Sequence, residues 1–187
     1  MKFIADLLFE SKMLKEIPRA GYHFLGNGKE SVAEHCFSAT FIAYVMASMT
    51  PDADPLRLIS MCLVHDLPES RTGDLNYVQK KYVTANEEKA IADATRNLPF
   101  GDNIKDLMAE FNGQETLEAK LAHDADQISF ILDLKALSDT GGKSPEKWMP
   151  FLLNRLKTDL GKTLAEAINN RSWDDWWIEG YTETPEE

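Results

Sequence analysis

Apolar residues recur at helical spacing along almost the whole chain. Phe3, Leu7, Leu8 and Leu14 mark an amphipathic helix over residues 2–15, stopped by Pro18, which cannot continue it. Residues 18–30 read as a loop punctuated by Gly21, Gly26 and Gly28. Ser31-Val-Ala-Glu34 is a capping box, in which each side chain satisfies a free amide of the first turn; it opens a helix running to about Met49. Asp54-Pro55 predicts a second start, and that helix passes through Leu58, Met61 and Cys62 to end near His65–Leu67, before Pro68. Thr84-Ala-Asn-Glu87 reads as another capping box, starting a helix that ends before Pro99. Further helices are predicted from Asp102 to Phe111, closed by Asn112-Gly113, and from Glu115 to Ser138. Ser144-Pro145-Glu146 opens a C-terminal part carrying Leu152, Leu156, Leu160 and Leu164, then a Trp173–Trp177 cluster and a frayed tail, TETPEE. No alternating strand pattern, internal repeat or low-complexity linker interrupts this. The prediction is an all-α, single-domain helical bundle.

The composition sharpens that picture. With 187 residues, 43% of them hydrophobic and 27% charged, the chain has material for one well-formed core. Twenty Lys and Arg against thirty-one Asp and Glu give a net charge of −11, a field that repels polyphosphate and disfavours a nucleic-acid groove binder. Cys36 and Cys62 both fall in apolar helical stretches and read as buried thiols rather than a disulfide framework. Asp6 and Glu10 interrupt the N-terminal segment where a signal peptide needs an apolar run, and the stretch Ala39–Met49 is shorter than the ~20 residues of a bilayer span. A soluble, cytoplasmic protein with no membrane partner is expected.

Chemistry is expected where the apolar pattern is broken. His35 shares a helix face with Ala39, Ile42 and Met46, and His65, followed by Asp66, extends the Leu58–Cys62 face. On the long helix Asp126 shares a stripe with Ala119, Phe130, Leu134 and Leu137, whereas Asp124 sits at a border near Lys120, solvated or paired to it. A buried carboxylate without a partner is costly, so Asp126 is the one that needs an explanation. Taken singly, each of these residues is most simply a hydrogen-bonded core histidine or a capping aspartate. Three separate helices carrying such a residue point instead to one divalent cation held by His35, His65, Asp66 and Asp126. That mixed nitrogen and oxygen set suits Mn, Fe, Co or Mg and tolerates Zn. His23, His123 and Asp124 keep the simpler reading.

The series His35, His65-Asp66, Asp126 resembles the H…HD…D signature of the HD-domain metal-dependent phosphohydrolases. The blocks SVAEHCFSATFIA (31–43), LVHDLPESRTGDL (63–75) and AKLAHDADQISFIL (119–132), with Pro18-Arg19-Ala-Gly-Tyr22 upstream, resemble its 5′-deoxynucleotidase subgroup. The similarity covers residues 5 to 140, leaving a C-terminal helical extension over about 144–180 of the same single domain. The resemblance implies that His35, His65, Asp66 and Asp126 bind the metal and that Glu69 serves proton transfer. It also implies that Asp74 lies by the substrate sugar with a catalytic part, and that Arg19 and Tyr22 bind substrate. Tyr22 stands where similar proteins often have Trp, and Cys36 where many have Ser or Met; the second is read as packing. The expected reaction is hydrolysis of (deoxy)nucleoside 5′-monophosphates to nucleoside and phosphate, in a homodimer. Competing readings are another phosphate ester, such as a cyclic nucleotide or a nucleoside triphosphate, or a non-catalytic helical module with a structural metal. A two-iron site is disfavoured, since only His23 and His123 remain to hold a second ion. The Trp148, Trp173, Trp176 and Trp177 cluster reads as packing or a subunit interface.

Overall fold

The computed structural model describes residues 1–182, and among them the chain forms ten α-helices, two short 3-10 turns and no strand. The tail predicted to fray lies essentially outside the described residues. In chain order the helices are α1 (Lys2–Met13), α2 (Val32–Met49), α3 (Pro55–Val64), α4 (Glu69–Thr72), α5 (Glu87–Ala94), α6 (Gly101–Gly113), α7 (Leu117–Asp139), α8 (Pro145–Leu153), α9 (Asp159–Asn169) and α10 (Asp175–Thr182). The local signals act where the sequence places them. Ser31 and Glu34 form the reciprocal capping box of α2, and Asp54 caps α3 through the Arg57 amide with Pro55 behind it. Two boundaries differ. The cap of α5 is Asn86, whose side chain accepts from the Lys89 amide, so the apparent Thr84 box is not used. Helix α6 runs through Gly113, and the left-handed residue after it is Gln114.

Helices α2, α3 and α7 pack on one another, α6 crosses α3 and α7, and α8 and α9 close against α7. Their core joins Met46, Leu58, Met61, Leu121, Ile128, Ile131 and Leu134, all fully buried. A smaller cluster of Leu14, Val32, Cys36, Leu67, Ile91, Ile104 and Met108 lies beneath the end of α1. Of the described helices, α2 alone is long and apolar enough to cross a membrane. It serves as a central strut of the bundle: eight of its eighteen residues, His35 among them, are buried.

The loop before α2 is closed by an isolated antiparallel pairing of Pro18 with Ser31. The Arg19 amide donates to the Glu30 carbonyl and the Val32 amide to that of Ile17, both at 2.9 Å. These bonds hold Arg19 and Glu30 side by side at the buried end of α2.

Asp124 departs from its expected place. It is fully buried, not solvated or paired to Lys120. Its Oδ1 accepts from the Lys157 amide at 2.7 Å, and its Oδ2 from the Thr158 amide and hydroxyl at 2.8 and 2.7 Å. One carboxylate thereby satisfies the turn that starts α9, a turn 33 residues further along the chain that no helical wheel contains. The fit leaves no room at Gly161, where a Cβ would lie 2.3 Å from Asp124 Oδ2. Gly to Ala inside a helix ordinarily stabilises by about 1 kcal/mol. Gly161→Ala is expected to do the opposite, costing about 3 kcal/mol through overpacking. Urea unfolding checks the sign: an unchanged or raised midpoint would refute the close fit.

Candidate metal centre

Three helices deliver the four expected donors to one point. His35, on the inner face of α2, is completely buried. His65 is the C-cap of α3, where the helix stops before Pro68, so His65 and the adjacent Asp66 turn to the same side. Asp126 comes from α7. His35 Nε2 lies 2.9 Å from Asp126 Oδ1 and 3.7 Å from Asp66 Oδ2; His65 Nε2 lies 3.3 Å from Asp66 Oδ2 and 3.9 Å from Asp126 Oδ1. Despite these approaches, neither imidazole Nε2 makes an aligned hydrogen bond. Two buried nitrogens aimed at two carboxylate oxygens without bonding them are what a shared cation requires. The separations match neighbouring ligands whose bonds to one ion are about 2.0–2.2 Å. The donor set therefore fits a divalent ion.

The surroundings orient these donors. The Cys62 carbonyl accepts from His65 Nδ1 at 2.9 Å, which leaves Nε2 as the nitrogen that faces the acids. Ser129 Oγ lies 3.3 Å from His35 Nδ1, and the Gln127 amide donates to Asp126 Oδ2 at 2.7 Å. Burial disfavours a charged imidazole at His65, yet Asp66 and then Asp126 outweigh it and lift the group to about 9. Burial likewise opposes ionisation of Asp66 and Asp126, but the neighbouring histidines and Arg19 hold both below the usual carboxylate range. A field that keeps a proton on a buried histidine is one that draws a metal cation. The Cys36 thiol is also within reach of His65 and Asp66, but burial, followed by the Asp66 charge, pushes it up, leaving a neutral thiol.

The other expected residues gather around this point. The Arg19 guanidinium lies 3.2 Å from Asp66 Oδ2 and 3.9 Å from both Glu30 and Asp74. Gly73, at φ 72°, turns the chain out of α4, and Asp74 Oδ2 accepts the Ala20 amide at 2.7 Å, pinning the Arg19 loop. Glu69 Oε2 is buried with no hydrogen-bond partner; burial, then Asp66 and Asp74, push its carboxyl up to about 9. Tyr22 is half-buried, and its hydroxyl donates to Asp133 at 2.6 Å.

Arg19, Tyr22, His65, Asp66, Glu69, Asp74 and Asp126 all line one cavity of about 830 Å³. Sequence reasoning missed the rest of its wall, and also one acid that lies outside its lining. Glu30, beside Arg19 and 4.0 Å from His35 Nδ1, is an acid that burial above all pushes up to about 8. Phe130 meets Tyr22 and Trp148 edge-on, both at 6.0 Å, so an aromatic run leads from the donors to α8. The signal for α8 lies in its spacing: Lys147, Trp148, Phe151 and Leu152 fall on one helical face, Arg155 follows in the turn after it, and all of them line the cavity. Trp148 thus belongs to the cavity wall, apart from the exposed Trp173, Trp176 and Trp177.

Residues 11–169 match the HD domain family. The chain is 28% identical over 174 residues to a mouse (Mus musculus) protein named 5′-deoxynucleotidase HDDC2, covering 82% of this chain and 86% of that one. It is 35% identical over 129 residues to the Xenopus laevis protein of the same name, covering 64% and 61%. Its structure is similar to that of a conserved hypothetical protein from Pyrococcus furiosus, with a TM-score of 0.73 and 26% identity over 89% of this chain and 99% of that one. The match spans every helix that donates to the centre, and with the H…HD…D series converging in space the chain belongs to the HD domain family.

Proposed function

We propose that this chain is a divalent-metal-dependent phosphomonoesterase that hydrolyses deoxynucleoside 5′-monophosphates to nucleoside and phosphate. One observation carries the reading: His65, Asp66 and Asp126, with His35 in contact behind them, share a single aromatic-walled cavity with a guanidinium and a partnerless buried acid. The relatives' printed name supports a deoxyribonucleotide as the substrate.

His35, His65, Asp66 and Asp126 hold the ion, which is Mn, Co, Fe, Mg or Zn. When bound it supplies Lewis acidity, easing deprotonation of water and offsetting phosphoryl charge. Arg19 pairs with phosphate oxygens, a task for which its planar fork is suited, and Asp66 and Asp74 hold it in place. Water attacks phosphorus in line and the P–O5′ bond breaks. Glu69, kept protonated by its surroundings, gives its proton to the departing 5′ oxygen. The Tyr22 ring and Asp74 border the sugar, while Phe130 and Trp148 offer apolar surface to the base.

The test is phosphate release from a panel of ribo- and deoxyribonucleoside 5′-monophosphates by protein stripped of metal, with each cation restored in turn. Activity should be absent without metal and return with one or two of the ions, fastest on deoxyribonucleotides. Metal binding without cleavage of any monophosphate would sink the reading and move attention to cyclic nucleotides and triphosphates.

The chain also pairs with a second copy of itself in this reading. On the outer face of α2, Phe37 (73% exposed), Phe41 (59%) and Tyr44 (57%) stack along one stripe, with Leu56 and Leu63 exposed on α3. Such a patch is unusual for a monomer and supports an interface core. Phe37→Glu with Phe41→Glu should reduce the light-scattering mass to that of one chain, 21.1 kDa. A wild type that already runs at this mass at micromolar concentration would remove the proposal.

A further inference from the structure

The cavity carries more positive charge than one phosphate uses. Arg19 stands beside the metal donors and is already engaged with Asp66. Lys80, from the turn between α4 and α5, and Lys147 and Arg155, from α8 and the turn after it, also line the cavity, and none has a carboxylate partner among the described residues. In a chain of net charge −11 this is unusual. Arg19, Arg57, Arg71, Arg96 and Arg171 are each paired with an acid, so Arg155 is the one arginine left unpaired among the described residues. Of the acids in the lining, Asp66, Glu69, Asp74 and Asp126 belong to the group around Arg19, and Glu87 is the one carboxylate outside it.

The position of these charges is as informative as their number. Lys147 stands in the first turn of α8 and Arg155 two residues past its end, and both line the cavity. Trp148 and Phe151 fall between them along the chain and line the same cavity. A planar base set against these rings thus lies along a wall that also carries both cations. The cavity, about 830 Å³, is at the upper end for a small-ligand site. A nucleoside 5′-monophosphate places its only anion at the metal donors and Arg19, and its sugar and base are neutral.

We infer that the preferred substrate is a 5′-phosphorylated nucleotide bearing a second phosphate on its 3′ oxygen, gripped by Lys147, Arg155 and Lys80 while the 5′ phosphate is cleaved. The second group is either a terminal monoester, as in a nucleoside 3′,5′-bisphosphate, or a diester to one further nucleoside. This rests on the proposed phosphomonoesterase reading. The chemistry is unchanged: water oxygen joins the 5′ phosphorus, the P–O5′ bond breaks, the 5′ oxygen takes a proton, and the 3′ phosphate remains on the product.

The test compares kcat/KM for a deoxynucleoside 5′-monophosphate, the matching 3′,5′-bisphosphate and the 5′-phosphorylated dinucleotide on the metal-loaded enzyme. Calorimetry of the first two on metal-free protein runs alongside. At least one doubly phosphorylated substrate should exceed the monophosphate about ten- to a hundredfold, as expected for one or two charge-assisted contacts, and release nucleoside still bearing its 3′ phosphate. The winning arm identifies the monoester or the diester. Lys147→Ala with Arg155→Ala should bring the ratio of the two kcat/KM values close to one. If the monophosphate is cleaved and a 3′ phosphate gives no advantage, the inference falls while the phosphomonoesterase reading stands. Equal losses on every substrate in the double variant would mean general electrostatic steering and would also overturn it. Should nothing be cleaved, the phosphomonoesterase reading fails, and calorimetry decides separately whether the second phosphate tightens binding.

Discussion

Replacing His65 with alanine is expected to lower phosphate release at least a thousandfold and to strip the protein of its divalent ion. In the proposed site the imidazole supplies one of two nitrogen donors, from a buried position where its Nε2 makes no hydrogen bond. Its loss leaves two carboxylates and His35 to hold the ion, and a thousandfold corresponds to about 4 kcal/mol of transition-state stabilisation. The fold should survive. His65 lies beyond the last residue of α3, where its side chain meets the Cys62 carbonyl and the His35 and Phe111 rings, and the core beneath α3 rests on Leu58, Met61 and Cys62. Metal content by mass spectrometry and helicity by circular dichroism separate the two effects. A variant that loses activity while keeping its metal would mean that His65 is not a donor.

Glu69→Gln should have the next largest effect, of a different kind. Glutamine keeps the shape of the side chain but has no acidic proton to give, and positioned general acids contribute about 10²- to 10⁴-fold. The loss should fall on kcat, with metal content and KM close to wild type. Leaving-group chemistry supplies the decisive comparison. A nucleoside alkoxide needs a proton as it departs, whereas p-nitrophenolate does not. The variant should therefore be far less impaired on p-nitrophenyl phosphate than on a nucleotide. Equal impairment on both would reassign Glu69 to positioning Arg19 or Asp66, whose charges it also feels.

Much of this was legible because it is local. The capping box at Ser31 and Glu34, the Asp54-Pro55 start and the arrest at Pro68 depend on residues within one turn, and each acts as read. The convergence of His35, His65, Asp66 and Asp126 was legible for another reason: polar groups on apolar faces must meet something, and the proposed cation would satisfy all four. What a single-helix view misjudged was decided across helices. The wheel ranked Asp126 above Asp124 for burial, yet Asp124 is the fully buried one, because the turn before α9 supplies its partners. Asp126 stands at the cavity wall instead. Glu30 read as loop, since only the Pro18–Ser31 pairing carries it to the donors. The cavity face of α8 was hidden inside an ordinary run of leucines and tryptophans, where spacing alone does not tell a wall from a core.

The grip of Asp124 on the start of α9 bears on how little of this chain could do its work. A polypeptide ending at residue 140 would keep every group assigned to the metal, the phosphate and the proton. It would also lose the three donors of Asp124, two positions from Asp126 on the same helix, and open to water the face of α7 that packs on α8 and α9. With that apolar face exposed and the clamp lost, the stretch of α7 that carries Asp126 is no longer held firmly in place. The smallest working enzyme is therefore set by where one aspartate finds its hydrogen bonds, and it must extend at least through α9.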